Sequence, residues 1–507
     1  MANIEIGIIG SGSMGSGMTL LFAEHGSTIG CFDTDQKAVQ AILDQAKKTE
    51  TGDDSRVHGF NSLKDLVNAF IKDPNGGHER RIIVLSLPHG KVVDGVCEEL
   101  LPILDKGDVV VDGGNEWWES TERRQAKAKE RGIEWIGMGV SGGYQAARHG
   151  PSMSPGGTKE AYDFVEPYLK KWAVKTPEGE PCVCYVGPGG SGHYVKMIHN
   201  GIEHAHLSIL CEIRAVMAYQ FGLSNDEISD YFEKWYRSGP LRGNYLIGIG
   251  YKGLRFKKGG GIEDKRGIVE DVEDKVTQDV DLSEGTGTWS TMEIATRHVA
   301  APAIAASHQL RIISSDKSER LEVVKNMSLP QPREDKLGKE VKEDVMNTVE
   351  KAVYGCILGG FVQGLAIIAK ASQEQKWDIS LAETMKIWRA GCIIQSDGIC
   401  DLLLPHLTKF PPSEPHNLLQ SIPEVAKELA STYAAVKEVY MLAVAADAVA
   451  PAVGATLEWM KSVSGKNLPT DFEEMELDYF GHHNYDIKGH PEPGHSKGKY
   501  HTEFAPA

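Results

Sequence analysis

The chain has 507 residues, room for roughly two to four domains with cores of their own, which excludes a small module stapled by disulfides or metal. Hydrophobic residues make up 41% and charged residues 25%, the balance of a folded globular protein and not of a disordered or fibrous one. The 54 basic and 71 acidic side chains leave a net charge of −17, which removes the usual electrostatic basis for nucleic-acid binding and favours a small-molecule ligand.

Met1 leads straight into a strand-like Ile4–Ile9, with no basic region and no long apolar segment, so a cytoplasmic location is expected. Short β-branched runs at Thr28–Phe32, Arg81–Leu85, Asp108–Asp112 and Glu134–Gly137 then alternate with helix-length amphipathic segments. That alternation predicts a doubly wound, mainly parallel sheet with helices on both faces. The stretch from Ser141 to Gly157 is rich in glycine, Pro177–Pro181 is rich in turn formers, and Cys182–Val186 is the last expected strand. Beyond it the pattern is almost entirely helical. The expected organisation is an α/β domain over 1–188, a large all-α domain over 189–470 and a Pro-, Gly- and His-rich tail over 471–507 without periodicity. Val439–Val453, the most apolar late stretch, is interrupted by Asp447 and Pro451 and falls short of the ~20 residues of a membrane span. It reads as a core helix, and no membrane partner is expected. The eight cysteines lack framework spacing, only Cys182 and Cys184 lying close together, so free thiols in a reducing compartment are expected.

Within the helical part, Ser224-x-x-Glu227 and Ser380-x-x-Glu383 are capping boxes that each follow a long helical segment and precede an aromatic, Phe232 and Trp388. Their offset of 156 residues predicts a duplicated unit.

Gly10-Ser11-Gly12-Ser13-Met14-Gly15 is a G-x-G-x-x-G set directly after the first strand and before the helical run Ser16–His25. In such a turn the first glycine permits the tight bend, the second lets backbone approach a pyrophosphate, and the third lets helix pack on strand. The next strand leads to Asp33, 18 residues beyond Gly15, near the ~20 expected for the acid that binds a cofactor ribose. A carboxylate there accepts from the 2′-hydroxyl of NAD and repels the 2′-phosphate of NADP, and no arginine follows in Asp33-Thr34-Asp35. NAD is therefore expected over NADP. The structural alternative is that Asp33 or Asp35 merely caps a helix beginning near Gln36.

Lys196, His199, Asn200 and Glu203 are spaced i, i+3, i+4, i+7 on the helix after the domain boundary and share one face. Most Lys–Glu faces are solvated surface. In the second copy, however, the corresponding residues are Ala352, Gly355, Cys356 and Gly359, small groups suited to packing. If the first face is buried as well, its lysine and carboxylate are candidates for acid–base chemistry.

Together with Asp112-Gly113-Gly114-Asn115, Gly139-Val140-Ser141-Gly142-Gly143, the run Lys196–Glu203, Gly285-Thr286-Gly287, and Asp478-Tyr479-Phe480-Gly481 with His483, these motifs resemble 6-phosphogluconate dehydrogenase along nearly the whole chain. The resemblance implies a Rossmann domain, a duplicated helical domain, and a homodimer whose C-terminal tail enters the partner's active site. It also implies NAD(P)-dependent oxidative decarboxylation of a 3-hydroxy sugar acid to a ketopentose, with no metal. The His-rich end, with His482, His483, His490, His495 and His501, reads as a polar tail. By the same likeness Lys196 takes the C3 hydroxyl proton and returns it as carbon dioxide leaves, while Glu203 protonates C1 of the enediol. Asn115, Ser141, Gly142, Gly143, His199 and Asn200 match positions that hold the sugar acid or orient the nicotinamide.

Three phosphate-binding positions of the family are altered: a tyrosine is His204, a lysine is Glu284 and a tail arginine is Leu477, whereas Thr286, Arg311 and His483 are kept. The family's NADP-selective Asn-Arg-Thr is Asp33-Thr34-Asp35. These departures imply a divergent member acting on a different or unphosphorylated aldonate, with Lys257, Lys258, Lys265 and Arg266 as displaced cations available for a phosphate. Two other readings are a β-hydroxyacid dehydrogenase that stops at the keto acid and a dinucleotide-binding sensor without turnover.

Overall fold

A strand covered on both faces must be apolar at consecutive positions. Ile6-Gly7-Ile8-Ile9 meets that condition, and all four residues are buried in β1 (Ile6–Ile9). The structure, a computed structural model, describes residues 3–48, 54–70, 80–257, 267–278, 280, 285–332 and 343–504. The chain divides into two compact units, Met1–Leu457 and Glu458–Ala507.

After β1 come α1 (Ser13–Glu24), β2 (Ile29–Phe32), α2 (Gln36–Ala46), β3 (Val57–Phe60), α3 (Leu63–Asn68), β4 (Ile82–Leu85), α4 (Lys91–Leu100) and β5 (Val109–Asp112). The sheet is completed by α5 (Trp118–Lys129), β6 (Glu134–Ser141), α6 (Gly143–His149), β7 (Ser152–Gly156) and α7 (Lys159–Trp172). The strand order is β3-β2-β1-β4-β5-β6-β7, parallel throughout except for the antiparallel β6–β7 pair. One apolar core lies on each face of this sheet, one around Met18, Phe22 and Trp172, the other around Leu66, Leu100 and Trp135. The order reverses direction between β1 and β4, and in such sheets ligands bind beyond the carboxyl ends of the strands flanking that switch point.

Two strands have too little apolar pattern to be expected: β3 holds His58 and Gly59, and β7 holds Pro155 on the sheet's edge, where a residue without N–H is tolerated. Conversely, Cys182–Val186 is not a strand. It runs beside β7 through isolated bridges, Met153 to Val183 and Gly156 to Gly187. Pro155 has no N–H to give, and the outer segment spans one more residue than β7 between these bridges, so no continuous ladder forms. Helix α1 begins at Ser13 and not at Ser16, because the turn ends at the extended N-cap Gly12.

The helical part runs α8 (Ser191–Phe221), α9 (Asn225–Arg237), α10 (Tyr245–Arg255), α11 (Ile268–Asp271), α12 (Thr286–Thr296), α13 (Pro302–Ser315) and α14 (Lys317–Asn326). It continues with α15 (Glu343–Gln375), α16 (Leu381–Ile387), α17 (Asp397–Leu407), α18 (Leu418–Ser421), α19 (Pro423–Ala445) and α20 (Pro451–Val463), and α21 (Thr470–Gly481) follows. The duplicated pattern is visible: α8 and α15, of 31 and 33 residues, pack on one another, each leads to a serine-capped helix, and Phe232 and Trp388 are both buried. Helix α15 is long and apolar enough to cross a membrane, but 94% of its apolar window is buried inside the protein, where the helix packs on α8 and α19.

Val439–Val453 is not one helix. α19 stops at Ala445, Asp447 turns the chain with φ 53°, and Pro451, which cannot continue a helix, starts α20. The tail is not featureless either. Within the second unit the buried Asp478 accepts hydrogen bonds from the Asn484 N–H at 3.0 Å, the His501 ring at 2.9 Å and the Thr502 N–H at 3.0 Å, and Tyr485 bridges Tyr500. One carboxylate gathers a segment whose sequence has no apolar period. Burial would raise that carboxyl, but these three donors hold it at about 2.

Candidate active site

The Gly-rich turn is built by contact. Gly10 has φ +103°, and a Cβ on it would overlap the Ser86 carbonyl, while a Cβ on Gly15 would overlap the Gly10 carbonyl. Gly12 is the opposite case: it is exposed at the N-terminus of α1, and nothing lies within 4 Å of a Cβ placed on it. The open backbone there, with the first N–H groups of α1 lacking helical partners, fits a dinucleotide's pyrophosphate. Ser13 is exposed and Met14 half-buried in the same turn. Asp33 is half-buried after β2, where Oδ2 accepts from the Ser11 N–H at 2.7 Å and Oδ1 from the Asp35 N–H at 2.8 Å. The N-cap of α2 is Asp35, which accepts from the Lys37 N–H at 3.0 Å. Capping therefore accounts for Asp35 and leaves Asp33 bonded to the turn itself.

Asn115 is half-buried in the loop after β5, and this loop is fastened to the one after β4. Arg124 on α5, only 1% exposed, donates to Glu116 at 2.5 Å, to Asp94 at 2.9 Å and to the Gly90 carbonyl at 3.0 Å. Glu116 in turn accepts from the Gly90 N–H at 2.9 Å and the Trp117 N–H at 2.9 Å. At the end of β5, burial raises the Asp112 carboxyl, opposed by His193 and Arg124. His193 itself bridges the Thr121 hydroxyl at 2.7 Å and the Asp112 carbonyl at 3.0 Å.

The polar face of α8 is buried: Lys196 is 7% exposed, His199 0% and Asn200 6%, with Glu203 half-buried one turn on. Gly139 on β6 makes room for the lysine stem, since a Cβ there would overlap Lys196 Cβ. Lys196 Nζ donates to Ser141 Oγ at 3.2 Å, at the end of β6, where Gly142 with φ +100° and Gly143 with φ +66° turn the chain into α6. His199 Nδ1 lies 3.0 Å from Asn200 Oδ1 and 3.9 Å from Glu203 Oε2. An amide oxygen can only accept, so this bond puts the His199 proton on Nδ1. Burial, reinforced by the nearby Lys196 charge, pushes the imidazole well below its usual range and keeps it neutral. Among the described residues His199 Nε2 has no hydrogen-bond partner. From behind, Trp388 of the second repeat meets the His199 ring edge-on at 5.8 Å.

Asn200 Nδ2 donates to Thr286 Oγ1 at 3.2 Å, which joins this face to the first turn of α12. His204 and His308 are both buried there, and a Cβ on Gly287 would lie 3.0 and 2.7 Å from their Nδ1 atoms. Arg311, half-buried, is one turn along α13 from His308. Glu284, Lys258, Lys265 and Arg266 lie outside the described residues; Lys257 is paired with Asp226 at 3.0 Å. His483 and Leu477 belong to the second unit, His483 exposed and Leu477 half-buried.

The sequence reading missed Arg124, Glu116, His308, and an aromatic group of His89, Trp117 and Trp289. None belongs to a spaced motif. Only the nearness of Glu116 and Trp117 to Asn115, and of Trp289 to Gly285-Thr286-Gly287, hinted at them.

Residues 5–187 match the family model for the NAD binding domain of 6-phosphogluconate dehydrogenase, and residues 192–504 the model for the 6-phosphogluconate dehydrogenase C-terminal domain. The chain is 44% identical over 505 residues to a decarboxylating 6-phosphogluconate dehydrogenase of Emericella nidulans, covering 97% of this chain and 100% of that one. It is 35% identical to decarboxylating 6-phosphogluconate dehydrogenase 1 of Spinacia oleracea, over 99% and 97% of the two chains. The solved Plasmodium falciparum 6-phosphogluconate dehydrogenase, described in its apo form and in complexes with NADP+ and with 6-phosphogluconate, superposes with a TM-score of 0.83 at 30% identity, over 99% of this chain and 100% of that one.

Proposed function

The chain belongs to the 6-phosphogluconate dehydrogenase family, and from that premise we propose that Lys196 and Glu203 drive an oxidative decarboxylation of a six-carbon 3-hydroxy aldonate. The observation that carries the assignment is the burial of the α8 polar face, with a lysine amine 3.2 Å from Ser141 and a neutral imidazole beside it. The enzyme is NAD(P)-dependent, and when bound the nicotinamide accepts the hydride from substrate C3. Lys196 takes the proton of the C3 hydroxyl as that hydride leaves. As the β-keto acid releases carbon dioxide, the same proton returns to the C3 oxygen. Glu203 then protonates C1 of the enediol. His199 offers the Nε2 lone pair to a substrate hydroxyl, while Asn115, Ser141, Gly142, Gly143 and Asn200 hold the acid and orient the nicotinamide.

The finer readings rest on the departures from the family pattern. Asp33, bonded to the Gly-rich turn, supports a preference for NAD over NADP. His204, Glu284 and Leu477 support an aldonate whose distal group is neutral or at most singly charged, with Thr286, Arg311 and His483 as its remaining contacts. The likeness also supports a homodimer that exchanges its tail, and eight free cysteines support a cytoplasmic setting. The test is to follow NAD and NADP reduction with gluconate and 6-phosphogluconate while trapping carbon dioxide. Carbon dioxide should appear in step with reduced cofactor; reduction without it would make the enzyme a β-hydroxyacid dehydrogenase.

A further inference from the structure

The indole of Trp289 folds back one turn along α12 and lies over Gly285, where a Cβ would overlap the ring. From that position it meets His89 edge-on, with centroids 5.1 Å apart at 79°, and Trp117 at 6.2 Å and 49°. His89 sits in the loop after β4 and Trp117 in the loop after β5, beside Gly90 and Glu116, which Arg124 clamps together. The two loops therefore behave as one body, and the aromatic group joins that body to the turn Gly285-Thr286-Gly287. On its other side the turn is bonded through Thr286 to Asn200, on the same helix as Lys196. The bridge thus links the loops after β4 and β5, through the turn Gly285-Thr286-Gly287, to Asn200 on α8. Among the described residues the His89 Nε2 atom is covered and has no hydrogen-bond partner, and the ring packs edge-on against Trp289.

We propose that Trp289 is a positioning residue for hydride transfer: it ties the first turn of α12 to the two cofactor-side loops and so sets the gap between substrate C3 and the nicotinamide. The inference rests on the reaction proposed above. A misplacement of about 1 Å between reacting groups can cost on the order of a hundredfold in rate, whereas the Gly10–Gly15 turn and Asp33, proposed to hold the cofactor, are not members of the bridge.

The experiment uses the full chain with gluconate and 6-phosphogluconate, each with hydrogen or deuterium at C3. Trp289→Leu should lower kcat roughly tenfold or more and enlarge the primary isotope effect on kcat, because hydride transfer becomes slower than the other steps, while the Kd of the cofactor alone stays within about threefold. Trp289→Phe should restore most of the rate. Unchanged kcat and isotope effect in Trp289→Leu overturn the inference, as does equal loss in both variants with an unchanged isotope effect. If Trp289→Leu does not fold, His89→Ala and Trp117→Leu must show the same enlarged isotope effect, and its absence in both is equally decisive against the bridge. A wild type that oxidises neither acid overturns the functional reading and this inference together; an active wild type with insensitive variants overturns this inference alone.

Discussion

Two side chains on one buried helix face are assigned different proton transfers, and kinetics can separate them. Lys196→Met should abolish cofactor reduction even in a single turnover, with a loss of roughly three orders of magnitude or more, because no other base is named for the C3 hydroxyl. Glu203→Gln should still give a first-turnover burst of reduced cofactor and slow only the appearance of ketopentose. Equal loss of both steps in both variants would return the face to a structural role. Asp33 makes a second prediction at this scale. Wild-type kcat/KM should be higher with NAD than with NADP, and Asp33→Asn combined with Thr34→Arg should narrow or reverse the ratio; a wild-type preference for NADP refutes this use of the carboxylate. These residues were legible because chemistry imposes a spacing on them: a helical period for Lys196 to Glu203, a loop length for Gly10 to Asp33. Trp289, His89 and Arg124 act through contacts between loops far apart in the chain, and such contacts leave no period to read.

Elements were legible where one rule decided them and illegible where two competed. The small residues Ala352, Gly355, Cys356 and Gly359 at the equivalent positions of α15 show from sequence that such a face can be buried; all four are buried, and so are Lys196, His199 and Asn200 on α8. Cys182–Val186 has an apolar strand composition, but the neighbouring Pro155 and an extra residue defeat the ladder. The α8–α20 junction shows a different limit. Glu212, in the apolar half of α8, accepts the Ala452 and Val453 N–H groups at 2.9 and 2.8 Å and so caps the N-terminus of α20. Burial pushes its carboxyl from 4.5 up to about 8, partly opposed by those two N–H bonds. Between those values the folded protein holds a proton that the unfolded chain has released, so this group's stabilising contribution is full below about 4.5 and is lost as pH rises through about 8. Urea midpoints measured from pH 5 to pH 9 should therefore fall more steeply for the wild type than for Glu212→Gln. Parallel curves would mean that the carboxyl ionises alike in both states.

At the scale of the whole molecule the proposal turns on the three positions that depart from the family pattern, His204, Glu284 and Leu477. Charge-assisted hydrogen bonds contribute about 1.5–3 kcal/mol each, so replacing two basic partners by Glu284 and Leu477 should weaken phosphate binding by about two or more orders of magnitude. Glu284→Lys with Leu477→Arg should accordingly lower the KM for 6-phosphogluconate, and a low micromolar KM in the wild type would contradict the assignment. Tail exchange has its own test: inactive Lys196→Met and inactive His483→Ala chains, mixed and reassociated, should regain up to about a quarter of wild-type activity by forming one intact site per mixed dimer, and no recovery speaks against exchange. The pairing of α8 with α15 also has a consequence for biosynthesis. Their equivalent positions are 156 residues apart in sequence, so at about 5–20 residues per second α8 leaves the ribosome roughly 10–30 s before the partner that covers it. Throughout that interval the apolar positions of α8 that α15 covers in the folded protein have no cover from that helix.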